Sequence, residues 1–197
     1  MYQFFFKRCF DLLFCLIGLP FFLIAFVILG PIIYFTDRGP VFYNAPRLGY
    51  KGKIFKMFKF RSMKVNADAD RLQATKDDPR KTKWGEIMRK TNIDELPQFL
   101  NVLMGDMSVV GPRPHMLLHT EEYSALIDKY MVSHWVKPGI TGWAQVSGAR
   151  GETQELWQME DRIKKDIWYI ENWSPSLDIK IMIKTVTNVF KGDKQAY

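Results

Sequence analysis

The feature that most constrains this chain is an uncharged apolar run from Leu12 to Thr36, which covers 25 residues. A helix of that length reaches across the hydrocarbon core of a bilayer, which is roughly 30 Å thick. A cleaved signal peptide would have a shorter apolar core followed by small residues, whereas this run continues to "YFTDRGP". The sequence therefore predicts an attached membrane anchor in residues 1–36 and a second unit in residues 37–197.

The path of this run through a membrane is set by its flanks and by a proline. Lys7 and Arg8 precede the run and a basic chain follows it, so a simple span would place one positive flank on the unfavoured side. Pro20 lies near the middle of the run, where it removes a backbone donor and bends a helix. We expect a re-entrant helix, broken at Pro20, that enters and leaves on one face. An ordinary kinked transmembrane helix is the alternative.

The charge of the chain points to anionic partners. Lysine and arginine number 28 against 21 acidic residues, which gives a net charge of +7 and favours phosphates, anionic lipid or nucleic acid. The two cysteines, Cys9 and Cys15, lie together in the apolar region and indicate neither a disulfide framework nor a zinc site. His115 and His119 are four residues apart but lack the Glu of "HExxH" and a third ligand, so a metal role for them is disfavoured.

Residues 38–67 carry charge of one sign only, with eight basic side chains and no acid. Gly/Pro punctuation between short aromatic runs predicts a β-hairpin with its turn near "GYKG". Basic residues interleaved with phenylalanines suit nucleic acid, or anionic headgroups with reach to a substrate phosphate. A solvated strand face is the alternative. The basic residues are Arg38, Arg47, Lys51, Lys53, Lys56, Lys59, Arg61 and Lys64.

The remaining segments indicate helices. Residues 115–135 have the pattern of one amphipathic helix, and residues 156–190 are helical apart from a "WSPS" break after Trp173. An apolar stripe near the end suits a helix lying in the bilayer interface or packed in a core, and its members are Ile179, Ile183, Val186 and Phe190. The predicted fold class is α+β and mostly helical, with a re-entrant membrane helix, a small β-hairpin and interfacial amphipathic helices.

The stretch "KTNIDELPQFLN", residues 90–101, places Asp94 and Glu95 side by side before an apolar helical pattern. Asn92 and Glu95 have capping-box spacing, and acids near a helix N-terminus are stabilised by its dipole. Neighbouring helical residues point about 100° apart, so two carboxylates here would serve different tasks. After the helix, "MSVVGPRPH" predicts a short buried strand and a rigid turn that presents Arg113, which suits phosphate.

Four stretches together resemble the bacterial sugar transferase family, the monotopic phosphoglycosyl transferases, over nearly the whole chain. They are "FKMFKFRSM", "RKTNIDELPQFLNVLMGDMSVVGPRP", "VKPGITGWAQVSGARGET" and "DIWYIENWSPSLDIKIMIKTVTNVFKGDKQAY". The likeness is greatest to the catalytic domain of undecaprenyl-phosphate glucose phosphotransferases of exopolysaccharide synthesis. The resemblance implies Mg²⁺-dependent transfer of a sugar phosphate from a UDP-sugar to undecaprenyl phosphate, with release of UMP. It makes Asp94 the nucleophile that becomes a phosphosugar ester, and Glu95 its partner at the metal.

The resemblance also implies the remaining site residues and the location. Lys59, Arg61, Arg89 and Arg113 match the family's basic positions for substrate phosphates, and Arg150 is a weaker match because the family varies in spacing there. The implied location is the cytoplasmic face of the bacterial inner membrane, with UDP-sugar, undecaprenyl phosphate and membrane lipids as partners and no nucleic acid.

Several alternatives stay open at this point. A membrane-anchored module that binds anionic lipid or nucleic acid without catalysis, and a metal-dependent hydrolase of nucleotide sugars, are the rival functions. Glucose or galactose is the favoured sugar. A homodimer is open because symmetric dimers are the commonest assembly. Relatives in the family usually carry further transmembrane helices upstream, so the chain is either a naturally short form or a catalytic domain.

Overall fold

The computed structural model describes residues 2–66, 72, 74–75, 77–151, 153 and 155–191, with the backbone alone at residues 2–4, 190 and 191. The helices are α1 (Tyr2–Thr36), α2 (Lys83–Thr91), α3 (Gln98–Met104), α4 (Leu117–Leu126), α5 (Trp143–Val146), α6 (Leu156–Glu171) and α7 (Pro175–Lys191). The strands are β1 (Phe42–Leu48), β2 (Ile54–Phe60), β3 (Ser108–Val110) and β4 (Gly139–Thr141). Short 3₁₀ turns lie at Tyr50–Gly52, Ile93–Glu95 and Tyr130–Trp135. The α+β, mostly helical class predicted from the sequence is confirmed.

Helix α1 contains the whole apolar run. It has 35 residues and continues through Pro20 and Pro31 without interruption, so its length is about 52 Å if it is straight. Within the described residues it is the one helix long and apolar enough to cross a membrane. The predicted break at Pro20 is not seen as an interruption, because the helical backbone on both sides tolerates the loss of one donor. The re-entrant path stays a prediction.

Both ends of α1 are held by the same body. Near its start, Lys7 Nζ lies 2.6 Å from Asp178 Oδ2 in α7. Just after its end, Asp37 Oδ2 lies 2.8 Å from Arg61 Nη1, which follows β2. Residues at opposite ends of a long apolar helix are therefore anchored on one globular unit.

Between these anchors, one face of α1 packs on the body and the other is exposed. Gly18 permits close approach of Phe99, since a Cβ at that glycine would lie only 2.4 Å from Phe99 Cζ. Further along, Phe22 stacks on Phe60 of β2, with ring centroids 6.0 Å apart. Large apolar side chains such as Val27 project from the other face, where Val27 is 71% exposed. An exposed apolar face of this length suits lipid rather than water.

The strands β1 and β2 form the predicted antiparallel hairpin, with Tyr43 opposite Lys59 and Arg47 opposite Phe55. Its turn contains Lys51 and Gly52, both at positive φ. The prediction of a hairpin with its turn near "GYKG" is confirmed. One end of the hairpin lies beside α1, and the turn end lies away from it.

Strands β3 and β4 pair in parallel, Ser108 with Gly139 and Val110 with Thr141. Val110 belongs to the main core, together with buried apolar side chains of α1, the hairpin, α3, α6 and α7. This core fixes the start of the "GPRP" segment, which leaves β3 directly. The predicted short buried strand is confirmed.

The predicted single helix over residues 115–135 is wrong in its extent. Helix α4 ends at Leu126, and Lys129 adopts a left-handed conformation with φ of 61° before the 3₁₀ turn. The break lets Ile127 and Tyr130 pack in a second core with Met159 and Ile163 of α6. Tertiary packing therefore outweighs the helical pattern here.

Helices α6 and α7 and the break between them agree with the prediction. Pro175 begins α7, where its missing N–H costs nothing. Ile179, Ile183 and Val186 are exposed on α7, and the side chain of Phe190 lies outside the described residues. The predicted membrane-interface role of this stripe stays a prediction, as does the division of the chain at residue 36.

Candidate active site

One cavity of about 460 Å³ lies between the hairpin, the 3₁₀ turn Ile93–Glu95 and the loops that begin at Arg113 and Arg150. All seven side chains with predicted catalytic or substrate-binding roles line it: Lys59, Arg61, Arg89, Asp94, Glu95, Arg113 and Arg150. Its wall carries two carboxylates and eight basic side chains. The basic side chains are the five predicted ones together with Arg47, Lys64 and Arg162. Such a cavity favours a polyanionic ligand.

The acid pair is presented by a tight turn rather than by a helix N-terminus. Asn92 ends α2 in a left-handed conformation, with φ of 58°, and makes no side-chain cap. The predicted capping box of Asn92 and Glu95 is wrong, because other groups engage both side chains. Arg150 donates to the amide oxygen of Asn92, and Lys59 and Arg113 form ion pairs with the carboxylate of Glu95.

Glu95 is an ion-paired carboxylate. Its Oε1 lies 2.7 Å from Lys59 Nζ and 2.7 Å from Arg113 Nη2. Burial alone would raise the pKa of Glu95, but the two cations outweigh burial and hold this pKa well below its usual range. Burial lowers the pKa of Lys59, opposed by the charge of Glu95. Glu95 is therefore ionised and fixes two cations in the cavity wall.

Asp94 has the opposite environment. Within the described chain its carboxylate makes no hydrogen bond and no ion pair, although the side chain is only 5% exposed and lines the cavity. Burial raises the pKa of Asp94 to about 6, helped by the charge of Glu95 and opposed by Lys59. An unpaired carboxylate that is ionised near neutral pH and surrounded by cations can attack a phosphorus atom.

Arg61 and Arg89 complete the predicted basic set in different ways. Arg61 Nη1 donates to Asp37 Oδ2, and Nη2 donates to the backbone oxygens of Ile33 and Asp37. Arg61 thus joins the end of α1 to the cavity wall. Arg89 lies in the last turn of α2, and its charge lowers the pKa of Asp94.

The match to known proteins decides the family. The family model described as bacterial sugar transferase matches residues 2–192. The chain belongs to the bacterial sugar transferase family. This confirms the resemblance predicted from the sequence motifs.

Three relatives show the range of names within this family. The UDP-glucose:undecaprenyl-phosphate glucose-1-phosphate transferase of Escherichia coli K12 is 54% identical over 165 residues, 82% of this chain and 35% of the relative. The UDP-N-acetylgalactosamine-undecaprenyl-phosphate N-acetylgalactosaminephosphotransferase of Aeromonas hydrophila is 39% identical over 189 residues, 95% of this chain and 44% of the relative.

The third relative is nearer in length. It is the exopolysaccharide production protein PSS of Rhizobium leguminosarum bv. phaseoli, 42% identical over 187 residues, 92% of this chain and 94% of the relative. By contrast, the chain spans about a third of the length of the Escherichia coli transferase.

Asn101 of α3 positions the acid pair against the hairpin. It is fully buried, its Oδ1 accepts from Phe58 N at 2.9 Å, and its Nδ2 donates to Lys56 O at 2.7 Å. The side-chain amide of Asn101 thereby hydrogen-bonds to both backbone groups on the edge of β2 that faces away from β1. Because Lys59 follows in the same strand and Glu95 precedes α3, this contact sets their relative position.

Sequence reasoning missed several residues of the cavity wall. Arg162 of α6 donates to the backbone oxygens of Ala149 and Gly151, so it holds the loop that carries Arg150. A basic residue on the buried face of an amphipathic helix was the available signal. The sequence reasoning also gave no binding role to His115 and Thr153, which are short polar side chains without a diagnostic motif.

The acid pair is also the predicted metal site. The described residues contain no group of three or more metal-ligating side chains. Mg²⁺ is commonly held by one or two carboxylates together with substrate phosphates, so Asp94 and Glu95 fit the predicted Mg²⁺ in that form. Glu95 is engaged by Lys59 and Arg113, which leaves Asp94 as the more available ligand.

Proposed function

We propose that this chain transfers a sugar 1-phosphate from a UDP-sugar to undecaprenyl phosphate, as an initiating step of exopolysaccharide or glycoconjugate synthesis. The observation that carries the proposal is the unpaired Asp94 carboxylate in a cavity lined by eight basic side chains. The names of the relatives from Escherichia coli and Aeromonas hydrophila support undecaprenyl phosphate as the acceptor and a UDP-sugar as the donor.

The reaction proceeds in two displacements. A carboxylate oxygen of Asp94 forms a bond to the β-phosphorus of the donor, and the bond from that phosphorus to the bridging oxygen breaks, so that UMP leaves with the electron pair. A phosphate oxygen of undecaprenyl phosphate then attacks the same phosphorus. The acyl phosphate bond breaks, Asp94 is regenerated, and the product is undecaprenyl diphosphate sugar. Two steps through a covalent intermediate give ping-pong kinetics.

The neighbours of Asp94 supply orientation and charge. Glu95 holds Lys59 and Arg113 in place, and these cations, together with Arg89, offset the charge of the diphosphate. Arg61 and Arg150 are further phosphate ligands in this proposal. Asp94 and Glu95 would hold Mg²⁺ beside the diphosphate, and the ion would supply additional neutralisation of phosphate charge.

The membrane arrangement follows from α1. Because Lys7 and Asp37, near its two ends, both contact the same body, a helix that enters and leaves on one face accounts for these contacts more simply than a span. Pro20 is the proposed site of the bend. Such a monotopic protein would lie on the cytoplasmic face of the inner membrane, where the lipid phosphate and the soluble donor meet.

Exposed aromatic and apolar side chains support the same orientation. Trp135 and Trp157 are 65% and 64% exposed, and tryptophan is favoured at the membrane interface. Ile179 and Ile183 are exposed on α7. We include α6 and α7 in the proposal as helices that contact the interface.

The test is a panel of UDP-sugars, with glucose and galactose first, offered with undecaprenyl phosphate and Mg²⁺ while UMP is measured. Without the lipid acceptor, we expect a burst of about one UMP per protein and retention of the sugar phosphate on the protein. Asp94→Asn should abolish both, whereas Asp128→Asn, at an exposed aspartate outside the cavity, should behave like the wild type.

Two outcomes would overturn the proposal. Continuous UMP release without acceptor would identify a nucleotide-sugar hydrolase. Binding of anionic lipid that survives Asp94→Asn, without UMP release from any donor, would identify a binding module. Substantial turnover by Asp94→Asn would remove the nucleophile assignment while leaving the transferase class intact.

A further inference from the structure

The cavity is elongated along the hairpin, and its two ends differ in chemistry. Tyr43 pairs with Lys59, whereas Arg47 lies four residues further along β1, a distance of about 13 Å for an extended strand. Met116 forms an isolated bridge to Arg47, so the segment after Arg113 reaches the turn end of the hairpin. The cavity therefore extends well beyond the acid pair.

The end beside α1 is aromatic. Phe42 and Phe60 contribute to the wall there, and their rings stack with centroids 5.6 Å apart. Phe26 of α1 stacks on Phe42 at 5.5 Å. This end is continuous with the exposed apolar helix, which suits an isoprenoid chain arriving from the membrane.

The turn end is polar and combines neutral side chains with two arginines. Its wall includes His115 and His119, on either side of Met116, and Thr153, two residues beyond the Gly151 oxygen that Arg162 binds. Burial lowers the pKa of both histidines, that of His115 well below its usual range, and the charge of Arg162 lowers both further. The two arginines at this end donate to backbone carbonyls, Arg47 to Pro46 and Arg162 to residues of the 149–151 loop. The charge at this end is therefore partly committed to the protein.

Two polar atoms at the turn end lack a partner. His115 Nε2 and Thr153 Oγ1 are buried without hydrogen bonds within the described chain, although His115 Nδ1 lies 2.9 Å from Tyr130 Oη. A buried polar atom without a partner costs about 1–3 kcal/mol. A ligand that carries neutral hydroxyl, carbonyl or imide groups would satisfy these atoms without burying a further charge, whereas a bare phosphate would bring its charge with it.

We propose that the turn end of the cavity, formed by His115, Met116, His119 and Thr153, binds the nucleoside of the donor, with its diphosphate at Lys59 and Arg113. The inference rests on the proposed function. In-line displacement places the attacking carboxylate and the leaving nucleotide on opposite sides of phosphorus. The turn end lies beyond the acid pair and away from the lipid side, so the nucleoside and the isoprenoid chain occupy different ends of the cavity, and the acceptor phosphate attacks from the side that UMP has left.

The test uses the full chain in detergent micelles and measures binding of UMP and of inorganic diphosphate by calorimetry. His119→Ala and Thr153→Val each remove one neutral contact, so UMP binding should weaken about 2- to 13-fold, as expected for one hydrogen bond of about 0.5–1.5 kcal/mol. Diphosphate binding should be unchanged. In turnover, KM for the UDP-sugar should rise with KM for undecaprenyl phosphate unaltered.

His134→Ala is the matched control. His134 is buried and packs on Tyr130, with ring centroids 5.9 Å apart, but it does not line the cavity. Its removal disturbs the same core and should leave UMP affinity unchanged. Loss of UMP affinity in His134→Ala to the same degree would mean that packing, not contact, is responsible, and would overturn the inference.

The remaining outcomes separate the inference from the function. Wild-type UMP binding by both cavity variants, equal loss of diphosphate, a raised KM for the lipid, or no UMP binding by the wild type would each overturn the nucleoside assignment. If UMP binding follows the expected pattern but no lipid product forms, the nucleoside site stands and the transferase proposal falls.

Discussion

Asp94 and Glu95 are neighbours in sequence with opposite electrostatic environments. Glu95 is paired with Lys59 and Arg113, whereas Asp94 is buried without a partner in the described chain. A raised carboxyl pKa means that ionisation is opposed in the folded state. The cavity therefore holds its proposed nucleophile at a cost in stability, as functional sites often do.

Asp94→Asn should be inactive but more stable than the wild type at pH 8. The pKa of Asp94 rises from 3.8 to about 6 on folding, so its contribution to stability is fully present below pH 4 and is lost as pH rises through 6. At 1.36 kcal/mol per unit, the gain on replacement is about 3 kcal/mol at pH 8. Thermal unfolding at pH 8 and pH 4 measures the difference, which should nearly vanish at the lower pH.

The control for this prediction is Asp128→Asn, because Asp128 is exposed and does not line the cavity. Its unfolding temperature should follow that of the wild type at both pH values. A gain by Asp94→Asn of equal size at both pH values would contradict the ionisation argument.

At the residue scale, the sequence predicts which residues line the cavity more successfully than it predicts the contacts of their side chains. The acid pair and the predicted basic side chains line one cavity, and their catalytic and binding roles stay predictions. The capping role of Asn92 failed because Arg150, 58 positions away in the chain, takes its side chain. Local spacing contains no information about a partner of that kind.

At the scale of elements, α3 carries two buried amides with different surroundings. Asn101 bonds to both Phe58 N and Lys56 O on β2. Gln98 is also buried, but its Nε2 has no partner within the described residues. The pair permits a comparison of a satisfied and an unsatisfied amide on one helix.

Asn101→Leu should destabilise the protein by about 2–4 kcal/mol, because it leaves one N–H and one C=O of β2, both in part-buried hydrogen bonds, unpaired at about 1–2 kcal/mol each. Gln98→Leu removes an unsatisfied group and should change stability by less than about 1 kcal/mol. Chemical unfolding of both variants in the same micelles measures the difference. Equal losses of unfolding free energy in the two variants would show that the hydrogen bonds from Asn101 to β2 do not stabilise the protein.

The pattern of elements was predicted where local signals dominate. The hairpin, the strand before "GPRP" and the break before Pro175 each depend on turn residues and alternation. The predicted helix over residues 115–135 failed because Ile127 and Tyr130 pack against α6, and such packing overrides a periodic pattern.

At the scale of the whole molecule, the position of α1 decides how the cavity meets the membrane. One face of α1 packs on the body along its length, and both ends are tied by ion pairs. In the proposed membrane arrangement, a body anchored to both ends of α1 has its cavity at a constant depth relative to the bilayer. The homodimer and the cytoplasmic location stay predictions.

Both ends of α1 should be accessible from one side of a sealed vesicle. Single cysteines at Gln3 and at Asp37, in a background with Cys9 and Cys15 replaced by Ala, should react with an impermeant maleimide from the same side. The contacts of Lys7 and Asp37 with one body are the reason for this expectation. Labelling from opposite sides would establish a span and refute the re-entrant path.

A control label at Lys129 reports the side of the body, since this residue is exposed on the link between α4 and the 3₁₀ turn. It should react from the same side as the other two positions. Disagreement between Lys129 and Asp37 would mean that the body itself is not on one face.

The sequence by itself determined the apolar helix, the basic hairpin, the acid pair and the family, because each is a local pattern or a run of specific motifs. Only the tertiary structure decided that Glu95 is paired while Asp94 is not, that Asn101 pairs with the edge of β2, and that one body holds both ends of α1. These properties depend on side chains from distant segments meeting in a buried place. There, burial and charge reach values that no local pattern encodes.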